Sequence, residues 1–455
     1  MLENLSENLS ENSILGEGAQ GCVTKKALEC KEGGIDYAGK LSKIMTDAHA
    51  ADELQEHKRI HKIDPKEQFY LGVPIKCSVA RTEENVRTIG KCKDGAKFLS
   101  QFDNLSLLIM KNGGDNFSMF ANRAKKWSDN ETNGKRIELF WIECHRILLG
   151  IKVFLSNGII HQDLKPQNLV YNETLGRANF IDFGHMDSKL KISEECKNSI
   201  YHYASYHWSY PWEYDLLNYD KYEAFAKIDK KKHVEYLMYA IEMKIHNDGS
   251  DTIHHFLSKY SEPKLKEAYL SEYSEFLLRD ITLENYDKIL NKSLDTVDIY
   301  GTGMAFAFVL LHTQHLVDAA FFDKMTQLCF NMTRPNVFLR FGIDAVLSEF
   351  ESILFSSGFL AKHQKKLENH QIKDSVGKPL QSKNILDSLN LFGLKKATVQ
   401  PTVQPIVQAT VQPVSILKIE SDQKKRNKTV RFKKCGPGRF LNPLTNRCKT
   451  HKKTQ

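Results

Sequence analysis

The 455-residue chain lacks any apolar run near the ~18 residues that a membrane-spanning helix needs. The longest, MAFAFVLL at 304–311, reads as a buried helix. No secretory signal is expected from MLENLSENLSENS, which is polar and acidic where a signal has a basic start and an apolar core. The nine cysteines, at 22, 30, 77, 92, 144, 196, 329, 435 and 448, form no CxxC pair. Most are therefore expected to be free, buried thiols in a reducing cytosol or nucleus. The main body has no basic excess of the kind a nucleic-acid groove shows. Residues 418–455 hold 13 Lys and Arg against Glu420 and Asp422, so this tail carries +11 and the preceding 417 residues −3 of the net +8.

What remains is an ordinary globular composition, 41% hydrophobic and 26% charged, long enough for two or three compact units. ENLSENLSEN is a polar repeat, expected to be a disordered lead-in over 1–13. From Ile14 to Lys111 short β-like runs dominate (GCVTKKALEC, YAGKLSKIM, FYLGVPIKCSV, LSLLIM), with one helical segment at roughly 47–63. After Asn112 the pattern turns helical up to about residue 360, and IELFWIECHRILLGIKVFLSN has the apolar spacing of a buried helix. TVQPTVQPIVQATVQP, at 398–413, is uncharged, and its prolines forbid a regular helix, so 361–430 reads as an extended linker. A basic two-cysteine module, 431–455, closes the chain.

Four stretches carry chemistry. LGEGAQGCV is a GxGxxGxV pattern, in which Gly16, Gly18 and Gly21 let a hairpin backbone approach phosphate oxygens ahead of Val23. Alone it is weak, but the strand-like CVTKKALEC after it argues against a dinucleotide fold, which would place a helix there. Lys40, in the next strand-like run, can reach phosphates as a point charge, although an exposed strand lysine is the commoner case. A buried lysine needs a carboxylate. Glu56, with Ile60 and Ile63 one and two turns on, is favoured, and Glu53 is the fallback. HQDLKPQN then brings Asp163, which can accept a proton from a hydroxyl, and Lys165, which can neutralise phosphoryl charge. Asn168 and, fourteen residues on, Asp182 of IDFG offer the oxygen ligands that Mg²⁺ demands.

In this order, the motifs resemble those of the eukaryotic protein-kinase superfamily over roughly residues 14–350. The resemblance implies an α+β, two-lobed fold: a small β-rich N-lobe at 14–111 and a larger helical C-lobe at 112–360, with ATP and Mg²⁺ between them. It implies that Gly16, Gly18, Gly21, Val23, Lys40 and Glu56 serve ATP, that Asp163 and Lys165 are catalytic, and that Asn168 and Asp182 hold the metal. LSLLIMKNGGDN suits the hinge, with Asp115 facing the ribose. SYPWE, ending at Glu213, is similar to the close of an activation segment, and DIYGTG, with Asp298, to the opening of a buried helix. Arg334 of NMTRPN is the expected partner of Glu213.

The chain departs from that pattern in three places. Gln162 stands where many kinases have Arg, which weakens the case for switching by loop phosphorylation, although Ser193, Ser199, Tyr201 and Ser205 remain modifiable. Ser205 is the expected hydroxyl between Asp163 and Lys165. Glu213 and Asp298 lie 85 residues apart, making 214–292 an insertion whose Tyr- and Leu-rich helices are expected to pack on the C-lobe. DLKPQN resembles serine/threonine-specific members. Cys435 and Cys448 around GPGRFLNPLTNR resemble a short adaptor segment of iridovirus and ascovirus proteins. The expectation is therefore a viral serine/threonine kinase of host cytoplasm or virion, acting on protein substrates without a membrane. The tail offers contact to an adaptor partner or nucleic acid, and a merely solvated basic tail accounts for it equally well. The alternatives are a kinase-fold scaffolding protein with little activity and a small-molecule or lipid kinase.

Overall fold

The computed structural model describes residues 14–18, 21–201, 209–235 and 263–364, together with the backbone of short strands at 371–373, 379–384, 439–442 and 447–450. The N-terminal repeat, Ser205, most of KIDKKKHVEYLMYAIEMKIHND, the TVQP repeat and Cys435 lie outside the described residues. The architecture is mixed α+β, with a sheet-rich N-terminal region and a helical C-terminal region.

The glycine-rich stretch forms a hairpin of β1 (Ile14–Gly18) and β2 (Gly21–Thr24). β3 (Lys40–Thr46) follows, and then α1 (Asp47–Ile63), whose N-terminus is capped by the Thr46 hydroxyl. β4 (Ile75–Ser78) and β5 (Leu105–Lys111) complete an antiparallel sheet of order β1-β2-β3-β5-β4. β5 reads as a continuous apolar run because it is central and covered on both faces, with Leu107, Leu108 and Ile109 buried. Between β4 and β5 lie α2 (Glu83–Ile89) and α3 (Gly95–Ser100), two short helices absent from the sequence expectation of a single helix in this region.

Cysteine pairing is a second correction. Cys22 bonds to Cys92 and Cys30 to Cys77, whereas Cys144, Cys196 and Cys329 are free and buried. The partners are 70 and 47 residues apart in sequence. Only the sheet, with the turns around α2, brings their Cα atoms to 6.1 and 5.8 Å, within bridging range.

The C-terminal region begins with β6 (Asp115–Asn116) and α4 (Phe117–Ala124), followed by α5 (Glu131–Ser156). A short strand β7 (Ile159–Ile160) leads into a loop, and β8 (Leu169–Asn172) and β9 (Arg177–Phe180) form a hairpin beyond it. β10 (Asp187–Ser188) pairs with β7, and α6 (Lys189–Lys197) and α7 (Tyr219–Lys227) follow. The remaining long helices are α8 (Pro263–Glu275), α9 (Tyr286–His312), α10 (Ala319–Met332) and α11 (Ile343–Ser356). Trp141, Phe120, Phe140, Phe306, Phe321 and Phe350 interlock in one core among α4, α5, α9, α10 and α11. Among the described residues one stretch, Leu283–His312, has the length and apolar composition of a membrane span, and 89% of its most apolar window is buried within the protein. Within the expected insertion, Tyr269 and Tyr273 of α8 are buried and pack their rings on Trp212. Residues 396–455 form a separate unit, in which the short strands Arg439–Asn442 and Arg447–Thr450 pair and set Leu441 opposite Cys448.

Candidate active site

The loop between β7 and β8 holds HQDLKPQN, and its backbone is fixed from below. The buried carboxylate of Asp298, on α9, accepts the His161 N–H at 2.8 Å and the Gln162 N–H at 2.9 Å. Burial pushes the Asp298 pKa up, against the pull of those two amides. α9 can come this close because position 301 is glycine, where a Cβ would stand 2.2 Å from the Leu164 carbonyl oxygen. Gln162 itself sits at φ +67°, a conformation that a non-glycine residue holds only when its surroundings demand it. Its side chain is engaged on neutral groups, accepting from the Tyr201 hydroxyl at 3.0 Å and donating to the His185 carbonyl at 2.5 Å.

Asp163 is buried at the centre of the loop. Lys165 Nζ lies 3.0 and 2.8 Å from its two carboxylate oxygens, Asn168 Nδ2 donates to Oδ2 at 2.8 Å, and the Tyr210 hydroxyl donates to Oδ1 at 2.6 Å. Burial alone would raise the Asp163 pKa, but the Lys165 and Tyr210 hydrogen bonds outweigh it and hold the group below its ordinary value. The carboxylate is therefore ionised at neutral pH, as a proton acceptor must be. Ser205, the hydroxyl expected between Asp163 and Lys165, lies outside the described residues. The hydroxyl that the described residues set on Asp163 is that of Tyr210 of SYPWE, a three-dimensional contact that no spacing rule reveals.

The strand–helix charge pair is Lys43 with Glu53, at 2.6 Å, and not Lys40 with Glu56. Lys40 opens β3 opposite Lys111, while Glu56 is tied to Arg59 at 3.0 Å. Lys43 stands mid-strand opposite Val23 of β2, and its side chain passes 3.5 Å from where a Cβ on Gly21 would sit. Burial opposes its charge, but Glu53 and Asp182 outweigh that cost and raise the Lys43 pKa. The buried face of α1 runs Ala50, Glu53, His57, Ile60, and this stripe at helical spacing is the signal that favours Glu53 over Glu56. His57 packs edge-on against Phe183 of IDFG at 5.2 Å, and burial followed by the nearby Lys43 charge depresses its pKa to about 4.

Asp182 follows β9 at φ +63°, a second non-glycine residue in the left-handed region. Among the described residues no hydrogen bond or ion pair reaches its carboxylate, although its charge acts on Lys43. The Ile181 N–H bonds to the Asn168 carbonyl at 3.1 Å, tying the two loops together. Asn168 spends its amide nitrogen on Asp163 O and Oδ2, both at 2.8 Å, and among the described residues no hydrogen bond reaches its amide oxygen. An amide oxygen and a carboxylate are the hard oxygen donors that Mg²⁺ takes.

One further sequence expectation is redrawn. Glu213 does not meet Arg334. Its bidentate partner is Arg340, at 2.8 and 3.0 Å, and both side chains are fully buried. Ser293 Oγ also donates to Glu213 at 2.9 Å. Arg334 instead binds Glu272 of α8 at 3.0 Å, in a part-exposed pair. Asp115, the residue expected at the ribose, lies in β6 and pairs with Arg123 at 2.8 Å, which does not bear on that expectation.

Comparison with known proteins yields a local likeness. No family model matches the chain. Over 40 residues, 9% of its length, it is 52% identical to the probable cell division control protein 7 homolog 2 of Encephalitozoon cuniculi (strain GB-M1). The probable cell division control protein 7 homolog 1 of that organism matches to the same extent. The chain spans 11% of the length of each of these relatives.

Proposed function

We propose that the protein is a protein kinase that transfers the γ-phosphoryl group of ATP to a protein hydroxyl. The observation that carries this reading is the convergence on Asp163, an ionised carboxylate bonded to Lys165 and Asn168, with Asn168 tied through the Ile181 N–H to the loop that carries Asp182 and the Lys43–Glu53 pair within reach of Asp182's charge. Asp163 accepts the acceptor's proton and orients its oxygen. Lys165 balances charge on the phosphoryl group, and Lys43, held by Glu53, steadies the phosphates beneath the β1–β2 hairpin. Asn168 and Asp182 would hold Mg²⁺, which supplies charge neutralisation at the phosphates. The mixed α+β architecture suits a two-lobed arrangement with the nucleotide between the sheet and the helices, and the local likeness to the cell division control protein 7 homologs adds to it. Selectivity for serine and threonine, and a viral source, rest on DLKPQN and the two-cysteine tail.

The test is incubation of the full chain with γ-labelled ATP, Mg²⁺ and a mixed basic protein substrate, beside Asp182→Ala. We expect label on serine or threonine, lost in the variant. Equal labelling by both proteins would remove Asp182 from the reaction, and label on tyrosine alone would overturn the serine/threonine assignment.

A further inference from the structure

A carboxylate has about four positions at which it accepts hydrogen bonds. On Asp163 all four are taken: Oδ1 by Lys165 at 3.0 Å and Tyr210 at 2.6 Å, and Oδ2 by Lys165 and Asn168, both at 2.8 Å. Phosphoryl transfer requires Asp163 to receive the proton of an incoming hydroxyl, so one resident donor has to leave. Lys165 would give up an ion pair with both oxygens. Asn168 would give up two hydrogen bonds, to Asp163 Oδ2 and to the Asp163 carbonyl. Tyr210 differs from both, because its hydroxyl is the same functional group as the acceptor's, and the exchange replaces one O–H donor by another. Its ring is buried and lies 5.8 Å from that of Tyr214, so nothing as small as water displaces it by bulk.

We propose that Tyr210 determines acceptor specificity: its hydroxyl closes the acceptor position on Asp163 to water, and a protein acceptor enters by displacing it. This inference rests on the kinase reading above. In productive transfer the acceptor oxygen bonds to the γ-phosphorus and the bond from that phosphorus to the bridging oxygen breaks. ADP leaves, and the acceptor's proton passes to Asp163. With water as acceptor the same exchange yields ADP, inorganic phosphate and one proton. A polypeptide brings contacts of its own that offset the displacement of Tyr210, whereas water brings none.

The experiment compares the full-length wild type with Tyr210→Phe, which keeps the ring and removes only the hydroxyl. Tyr210→Leu serves as a second hydroxyl-free variant. Each protein is measured for Mg-ATP binding, for ADP release without protein acceptor, and for label transfer to the basic protein mixture. We expect acceptor-free ADP release to rise about tenfold or more in Tyr210→Phe, with a fall in the ratio of transfer to hydrolysis. ADP release that is unchanged or lower in both variants, while they bind Mg-ATP, would overturn the inference. A parallel loss of transfer in that case would make Tyr210 a positioning residue for Asp163 instead. Absence of Mg-ATP binding in all three proteins would sink the kinase reading itself, and the role of Tyr210 with it.

Discussion

The loop region from His161 to Gly184 and the charge pairs outside it obey different logics. Within the loop, the residues that the sequence singled out meet one another: Asp163, Lys165 and Asn168 are mutually bonded, and Asp182 lies beside Lys43. Outside it, both expected ion pairs formed with a neighbour of the residue named. Lys43 replaces Lys40 and Arg340 replaces Arg334, while Glu53, the fallback, replaces Glu56. The HQDLKPQN loop is short and held by the Asp298 carboxylate at His161 and Gln162 and by the Asn168 N–H on the Lys165 carbonyl, so spacing along the chain fixes spacing in space. A charge on a strand or helix has no such constraint. Its partner is decided by which face is buried, and β3 and α1 each offer two similar residues three positions apart.

That contrast is tested most severely at Glu213. Its pair with Arg340 is fully buried, and removing one member leaves the other charge uncompensated, which costs about 3–5 kcal/mol. Arg340→Ala should therefore lower the melting temperature sharply or prevent folding. The Arg334–Glu272 pair is part-exposed, so Arg334→Ala should cost about 1 kcal/mol or less. Chemical denaturation of both variants decides the matter, and equal losses would mean that the buried pairing is wrong.

The next effect is kinetic. Lys43→Met should reduce phosphoryl transfer by about 10²-fold, the scale of losing one well-placed electrostatic contact. Lys40→Met should leave it within about twofold, since the side chain lies three residues away at the strand's edge. The reverse order would restore the assignment that sequence spacing favours.

Much of the fold was legible for reasons visible in these comparisons. α1 spans Asp47–Ile63, where the helical pattern put it, because a β-favouring run ends at Thr46 and that residue caps the helix. The hairpin, α5 and the buried α9 were likewise written in glycine spacing and apolar periodicity. α2 and α3 were not, since six- and seven-residue helices carry under two turns of pattern. The disulfides and the Tyr210–Asp163 contact join residues 70, 47 and 47 positions apart, and only tertiary packing creates them.

His57 is where the two regions touch, since α1 sets its ring against Phe183 of IDFG, between Lys43 and the loop. Burial, with Lys43 as the second cause, keeps this imidazole neutral down to about pH 4, whereas in the unfolded chain it protonates near 6.5. Between those values the unfolded state binds the extra proton. The stability this burial contributes is therefore complete above pH 6.5 and is lost as pH falls toward 4, at about 1.4 kcal/mol per pH unit. His57→Leu keeps an apolar side chain against Phe183 and removes the titration. The wild type should lose more stability than the variant between pH 7.5 and 5.5, by about 1 kcal/mol, in parallel denaturation series. Because the neighbouring carboxylates titrate in both proteins, the difference between the two slopes isolates the histidine. Coincident slopes would mean that His57 is not held neutral against Phe183, and that the helix and the loop meet through some other contact.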